Sequence, residues 1–564
     1  MSNMKERKKV SRDSFLNKFL LTVQGEDNRT MEDVARIFAR LHELELADVS
    51  NKIEEKEREK YISREQFEAY LLSRDNDLFN PKRERYNKSG MSKPLTEYWI
   101  SSSHNTYLTG HQLTGISAQL TKLAYRCLEL DIWDGGRDEF TGSPVPIVYH
   151  GHTMTSKILF EDIITALRTF VLLHPKTYPI VLSLENHCSM PYQQAMASQL
   201  RTILGNLLYI PDKISLQGPL PSPLQLRGKV VLKGRRPDDA GDDYDTEEEA
   251  EDDDQLTDIM SVKTDKATPS VSVMGTYWER VIPPYHLPSQ PVGQGLPQVC
   301  QDCPGACQAN PLPWHQILFL GQKQPGPEPS HAFVQRNPGF NTLYNQTHIS
   351  RTFPSGKRID SSNYSPILAW SVGCQMVALN TQTPDEALRV NDGRFRENGS
   401  VGYVLKPSLL MMKVETEART THLEIQILSG SCLPKPGGLS DGDCVNPYVK
   451  MSLFDCHDGR EMYSTQSTNH VTNNGFAPIW NFNDSYHFDV RNSAVAVMQF
   501  TVMNKVVSLT KDDEFIASAS VPIACMRQGI RSVQLFDENM TRSGAFDFAS
   551  LLVYVKCDSH QAEI

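Results

Sequence analysis

RCLELDIWDGG, residues 126–136, sets two acids, Glu129 and Asp131, two positions apart among Leu128, Leu130 and Ile132. Strand alternation puts both carboxylates on one face and the apolar side chains on the other. Like charges that close repel, so the pair calls for a cation between them or a proton on one of them. Outward from this run the same pattern repeats. The stretch EYWISSSHNTYLTG (97–110) carries an apolar run into His104 and Asn105, and PIVYH ends at His150. YPIVLSLEN ends at Glu185 and its neighbour, and GKVVLKGRR carries Lys233 and Arg235 in alternation. Helical spacing separates the later runs: Ile163, Ala166, Leu167 and Phe170 in one stretch, and Met196, Leu200, Ile203, Leu204 and Leu207 in the next. Short apolar strands alternating with helices predict a parallel sheet, and polar residues gathered at the strands' carboxyl ends are where α/β barrels place their sites.

A chain of 564 residues is too long for one core and divides into about three or four domains. No apolar run approaches the roughly 20 residues needed to cross a bilayer, and MSNMKERKK has no signal-peptide core, so the expected location is cytoplasmic. Eleven cysteines, scattered and odd in number, point to reduced thiols rather than a disulfide frame. A net charge of −11 argues against nucleic-acid binding, although the start, MKERKKVSR, is basic. The opposite extreme is DDAGDDYDTEEEAEDDD at 238–254, with twelve acids in seventeen positions, which reads as a solvated linker. Pro- and Gly-rich sequence continues beyond it. Cys300, Cys303 and Cys307, with His315, begin like a zinc site but lack a matching second pair, and free thiols are the preferred reading.

Ahead of the alternating region, Thr30 and Asp33 form a capping pair for a helix bearing Val34, Ile37, Phe38 and Leu41. A second helix is predicted from Ser63 to Leu72, with Gln66 in the capping box and Phe67, Tyr70 and Leu71 on the buried side. After residue 420 the pattern becomes all-β, with THLEIQILSG, NPYVKMSLFD, SYHFDV, AVMQFTVMN, EFIASASVPI, SVQLF and SLLVYVKCD as short strands of a sandwich.

The words SSSHNTYL, LELDIWDG, VYHGHT, LSLEN and VLKGRR, in this order, closely resemble the catalytic X region of eukaryotic phosphoinositide-specific phospholipase C. SRTFPSGKRIDSSNYSP, GCQMVALNTQTP and GYVLKP resemble its Y half. The resemblance implies an N-terminal EF-hand-like lobe over 1–90 and a (β/α)8 TIM-type barrel whose X half spans 91–237 and Y half 313–410. A disordered linker over 238–312 splits the barrel, and a C2-type sandwich follows over 420–558. The segment ELADVSNKIEEKEREKY lacks the calcium-loop pattern, so the helical pair is expected to be structural. The family's pleckstrin-homology domain would precede this lobe, where the chain leaves no room for it.

By resemblance, calcium is the cofactor, held by Asn105, Glu129, Asp131 and Glu185, an all-oxygen set suited to a hard cation. The implied reaction converts phosphatidylinositol 4,5-bisphosphate to diacylglycerol and inositol trisphosphate. The inositol 2-hydroxyl attacks its own phosphate, with Glu185 or Glu129 as base; His104 stabilises the phosphoryl group, and His150 protonates the leaving glycerol and later activates water. Lys233, Arg235 and Arg351 would hold the ring phosphates, Arg235 replacing a lysine and Phe353 a tyrosine. Ser330 is too weak a match to include. Leu113 and Met154 match membrane-ridge positions, with Lys357 in place of a tryptophan, so the partner is a phosphoinositide membrane surface and the protein a peripheral monomer. Each of these residues has a bland alternative as a satisfied structural group, and His111, His152 and His187 are read that way. In the sandwich, Asp441 and Asp443 remain, but Asn446, Asn504 and Val506 stand where acids are expected, so calcium there is doubtful. The competing reading is a catalytically inactive phosphoinositide-binding scaffold.

Overall fold

The computed structural model describes residues 9–45, 60–108, 124–151, 156–211, 219–234, 338–355, 358, 360–411, 420–437, 444–481, 483–506, 508 and 510–559. Arg235, Leu113, Met154, Lys357, Ser330, the linker 238–312 with its cysteines and His315, the loop between the paired helices, and Asp441 and Asp443 lie outside the described residues.

The N-terminal lobe forms where the capping signals place it. Thr30 and Asp33 exchange hydrogen bonds at the start of helix Met31–Glu45, Asp33 N–H to Thr30 Oγ1 at 3.3 Å and Thr30 N–H to Asp33 Oδ2 at 2.9 Å. Helix Arg64–Leu72 carries the full box between Ser63 and Gln66. Val34, Ile37, Phe38 and Leu41 pack with Tyr70, and Phe67 and Leu71 flank that core. A further helical segment, Phe15–Val23, completes it with Phe15 and Phe19; Phe15 meets the Tyr70 ring edge-on at 5.1 Å. Strands β1 (Val10–Ser11) and β2 (Tyr61–Ile62) pair antiparallel beside it.

The central sheet contains β3 (Tyr98–His104), β4 (Cys127–Arg137), β5 (Pro144–Val148), β6 (Ile158–Leu159), β7 (Ile180–Asn186), β8 (Val230–Lys233), β9 (Arg351–Thr352), β10 (Met376–Asn380) and β11 (Tyr403–Leu405). Six of them run parallel in the order β8-β7-β4-β3-β10-β9. Helices Phe160–Leu173 and Met190–Gln199 follow the predicted spacing, with Ile163, Leu167, Phe170, Met196 and Leu200 buried against the sheet. The mixed α/β architecture is that of a TIM-like domain. Among the described residues the parallel count is six rather than eight, one strand of the predicted parallel set differs in direction, and a segment of the Y-half resemblance also runs antiparallel. PIVYH is the returning arm of a hairpin, β5 pairing antiparallel with β4, and GYVLKP supplies β11, antiparallel to β3. A hairpin needs only a short turn, and the stretch between Asp131 and His150 holds no crossover helix that a parallel return would require.

Two four-stranded antiparallel sheets form the C-terminal C2 sandwich, one of β12 (Thr421–Ser431), β15 (Tyr486–Val490), β18 (Gly529–Gln534) and β19 (Ser550–Ser559). The other contains β13 (Pro447–His457), β14 (Arg460–Ser467), β16 (Val497–Asn504) and β17 (Glu514–Pro522). Their inward residues share one core. The lobe is fastened to this sandwich by Glu26, whose carboxylate pairs with Arg531 at 2.6 Å and Arg527 at 3.1 Å.

Candidate active site

Register across the parallel strands assembles the site. Asn380 on β10 pairs with His104 on β3, Glu129 on β4 with Ser183 on β7, and Ser183 with Lys233 on β8. Ser102 pairs with Cys127, so two residues further on His104 meets Glu129, and the Nε2 to Oε2 distance is 3.7 Å. Asn380, His104, Glu129, Ser183 and Lys233 therefore form one row across five strands, and Asp131 and Glu185 pair one step further along. Paired residues on neighbouring strands point to the same face, so short apolar runs with polar residues at alternate positions build a single polar layer.

Each side chain in the layer is held by another. Asn380 Oδ1 accepts from His104 Nδ1 at 2.8 Å, which leaves Nε2 facing Glu129. Asn380 is itself fixed by Asn363, whose Oδ1 accepts the Asn380 N–H at 2.6 Å. The Phe353 ring lies parallel to His104, with centroids 6.0 Å apart. Asn105 has a left-handed backbone, φ 43°, and its N–H donates to Glu129 Oε2 at 3.2 Å. Arg351 Nη2 lies 2.6 Å from the same oxygen, and Lys233 Nζ donates to Ser183 Oγ at 3.0 Å. Arg351 is 1% and Lys233 4% exposed, so both sit inside the layer rather than on the open rim expected of phosphate clamps. His150 is half-buried and follows Tyr149, whose N–H donates to the Asp131 backbone oxygen at 3.3 Å. Glu185 is the most open of the acids, 55% exposed, with His187 Nε2 at 3.0 Å from Oε1 and the His187 ring stacked on Trp133 at 4.0 Å.

Burial and charge divide the two neighbouring acids. Burial raises the Glu129 carboxyl, but Arg351, His104 and Lys233 overcome it and hold the group below its ordinary value. Asp131 is pushed up to about 8 by burial, then by Glu129 and Glu185, against a hydrogen bond from the Tyr107 hydroxyl. Burial, aided by Arg351, brings Lys233 down to about 8, and burial also lowers His104.

Among the described residues no group of three or more histidine, cysteine or acidic side chains stands in metal-holding geometry. The donor chemistry nevertheless fits a hard cation. Asp131 Oδ1 is buried with no hydrogen-bond partner, Glu129 and Glu185 crowd the same carboxyl, and the donors are all oxygens. Trp133, His187, Asn363 and Asn380 are not legible as site residues, because stacking and register across distant strands leave no local signal; only NHC at 186–188 hints at a polar strand end.

Residues 91–236 match the phosphatidylinositol-specific phospholipase C X domain, residues 331–409 its Y domain, and residues 421–537 a C2 domain. The chain is 33% identical over 600 residues to 1-phosphatidylinositol 4,5-bisphosphate phosphodiesterase delta-4 of Xenopus laevis, covering 99% of this chain and 71% of that protein. It is 34% identical to the human delta-1 enzyme, over 85% of this chain and 63% of that one. It is also 33% identical to inactive phospholipase C-like protein 2 of Mus musculus, over 88% of this chain and 43% of that one. Among solved structures, L. pealei PLC21 superimposes with a TM-score of 0.68 at 24% identity, covering 99% of this chain and 68% of that chain, a likeness of fold.

Proposed function

The chain belongs to the phosphatidylinositol-specific phospholipase C family, and from that membership we propose that it hydrolyses phosphatidylinositol 4,5-bisphosphate at a membrane surface, releasing diacylglycerol and inositol trisphosphate through a cyclic phosphodiester. The observation that carries this reading is the row from Asn380 through His104 and Glu129 to Lys233, with Asp131 and Glu185 beside it.

The ring 2-hydroxyl of the substrate attacks the adjacent phosphate; a neighbouring hydroxyl has a high effective molarity, so no protein nucleophile is needed. His104, fixed through Nδ1 by Asn380, turns Nε2 toward a phosphoryl oxygen and, when protonated on both nitrogens, donates from Nε2 to the charge that accumulates there. His150, next to Tyr149 whose N–H reaches the Asp131 backbone oxygen, protonates the leaving glycerol oxygen and then takes a proton from water. Glu129 already accepts from Arg351 and Asn105, which weakens it as a base; Glu185, more exposed, is the better proton acceptor. Lys233 and Arg351 add positive charge from within the layer, Arg351 through its pairing with Glu129, and Arg235 is the cation proposed to hold the ring phosphates. Asn105, Glu129, Asp131 and Glu185 would hold calcium, which when bound withdraws charge from the phosphoryl group and eases ionisation of the attacking hydroxyl. The sandwich and barrel act as a monomer on the cytoplasmic face of a membrane; no helix among the described residues is long and apolar enough to cross one.

The second reading, an inactive phosphoinositide-binding scaffold, is favoured by the likeness to the inactive mouse protein. Retention of both histidines and all three acids weighs against it. Release of inositol phosphates from mixed micelles, with and without a calcium chelator and with His104→Ala as control, separates the two. Chelator-sensitive release lost in the variant supports the enzyme, and no release from the unaltered chain under any calcium concentration supports the scaffold.

A further inference from the structure

Past Ile132, which pairs with Asn186 at the end of β7, strand β4 keeps only β5 as a partner and leaves the sheet as a two-stranded finger. It leaves in the direction in which β4 carries Glu129 and Asp131, so it projects from the edge of the sheet that bears the site. Arg137 lies six residues beyond Asp131, about 20 Å along an extended strand. The Gly136 backbone, φ 96°, sits within the register shift between Asp134 and Arg137. At the tip, Phe140 is 96% exposed, more than any other large apolar residue among those described.

Single exposed apolar residues are ordinary on protein surfaces and by themselves mean nothing. Phe140 differs in how firmly it is presented. Asp138 Oδ1 accepts the N–H groups of Phe140 at 3.1 Å and Thr141 at 2.8 Å and the Thr141 hydroxyl at 2.9 Å, and Arg137 Nη1 donates to Gly142 O at 2.8 Å. The base is pinned to the rim of the site as well. Ser189, after β7, donates its N–H to Asp134 Oδ1 at 3.0 Å and its hydroxyl to Asp134 Oδ2 at 2.7 Å, and Trp133 stacks on His187, the neighbour of Glu185. A fully exposed ring on a turn stiffened by four hydrogen bonds loses little further conformational freedom when it is buried.

We propose that the hairpin tip at Phe140 is a membrane-contact element, inserting its ring into the interfacial region of a lipid bilayer beside the barrel mouth. The inference rests on the reading of the substrate as a membrane lipid, which requires that mouth to face the bilayer. Arg137, Asp138 and Glu139 leave the tip with one net negative charge, since the hydrogen bonds that Asp138 accepts keep its carboxylate ionised. Insertion is therefore driven by apolar burial, and anionic lipid gives the tip no attraction.

The test is co-sedimentation of the full chain with vesicles of phosphatidylcholine and a minor fraction of phosphatidylserine, lacking phosphoinositide, together with hydrolysis of a monomeric short-chain phosphoinositide below its micelle threshold. Phe140→Ala is expected to lower vesicle affinity by about fivefold to tenfold, to the same degree at low and high salt. Phe140→Trp is expected to restore it and to shift its fluorescence on binding, while hydrolysis of the monomeric substrate stays at the wild-type rate. Equal vesicle binding by Phe140→Ala and the unaltered chain overturns the inference, as does a loss confined to low salt. The two readings fail separately. A chain that hydrolyses no inositide yet loses vesicle binding on Phe140→Ala leaves the finger standing and removes the enzyme; hydrolysis with unchanged vesicle binding does the reverse.

Discussion

Asp131, on β4 of the barrel, and Asp513, which precedes β17 beside the loop of the sandwich that carries Asn504 and Val506, are both acids, and their surroundings are opposite. Asp513 accepts from the Tyr448 hydroxyl at 2.9 Å, the Lys505 ammonium at 3.1 Å and the Val506 N–H at 3.0 Å. Although burial raises it, these donors hold its carboxyl below the ordinary value. Nearby, Asn504 Oδ1 accepts the Asn446 N–H at 2.8 Å while its amide donates to Glu514. Asp131 has one oxygen engaged by Tyr107, one buried oxygen with no partner, and two acids facing it. An acid whose acceptor sites are filled by the chain's own donors has little left for a cation, whereas a buried oxygen beside other carboxylates is costly until a positive charge arrives. Coordination capacity is thus read from which oxygens remain unspent, not from the number of acids in a loop.

The largest effect that would break this contrast belongs to the layer itself. His104→Ala is expected to lower kcat by about 10³-fold, the loss typical of removing a positioned charge stabiliser, with thermal unfolding of the sandwich unchanged; steady-state release of inositol phosphates checks it. Arg351→Met strips the buried Glu129 of its cation and is expected to cost about 3–5 kcal/mol of stability. Adding Glu129→Leu to that variant recovers much of it, and urea unfolding of both variants reads the difference. Asp513→Asn weakens three hydrogen bonds at a partly exposed site, so about 1 kcal/mol is expected, with the calcium half-point of hydrolysis unchanged. The smallest effect is its pH signature. A carboxyl depressed in the folded state contributes stability above its unfolded pKa of about 3.9, and that contribution is lost as pH falls through the folded value. Acid unfolding of Asp513→Asn should accordingly be less steep than that of the unaltered chain below about pH 4.

Much of this was legible in the chain. Alternation around Glu129 and Asp131 announced a strand with one polar face, and the Thr30/Asp33 and Ser63/Gln66 pairs fixed two helix starts, because alternation and capping are local. Strand direction was not, since PIVYH and GYVLKP look like any buried apolar run until their partners are known. Strand Arg460–Ser467 was missed because its side chains are nearly all exposed and its residues polar, so no apolar face marked it. Resemblance alone assigns Arg351 and Lys233 to the ring phosphates and says nothing of their burial, which follows from the row of acids and hydroxyls that register brings against them. Phe140 gave no signal, because a lone aromatic in a turn has no periodicity.

Calorimetric titration of the full chain with calcium, comparing the unaltered protein, Asp131→Asn and Asp513→Asn, tests the central contrast most directly. The account predicts a binding event that Asp131→Asn abolishes and Asp513→Asn leaves in place. Calcium binding that survives Asp131→Asn and disappears with Asp513→Asn would contradict it.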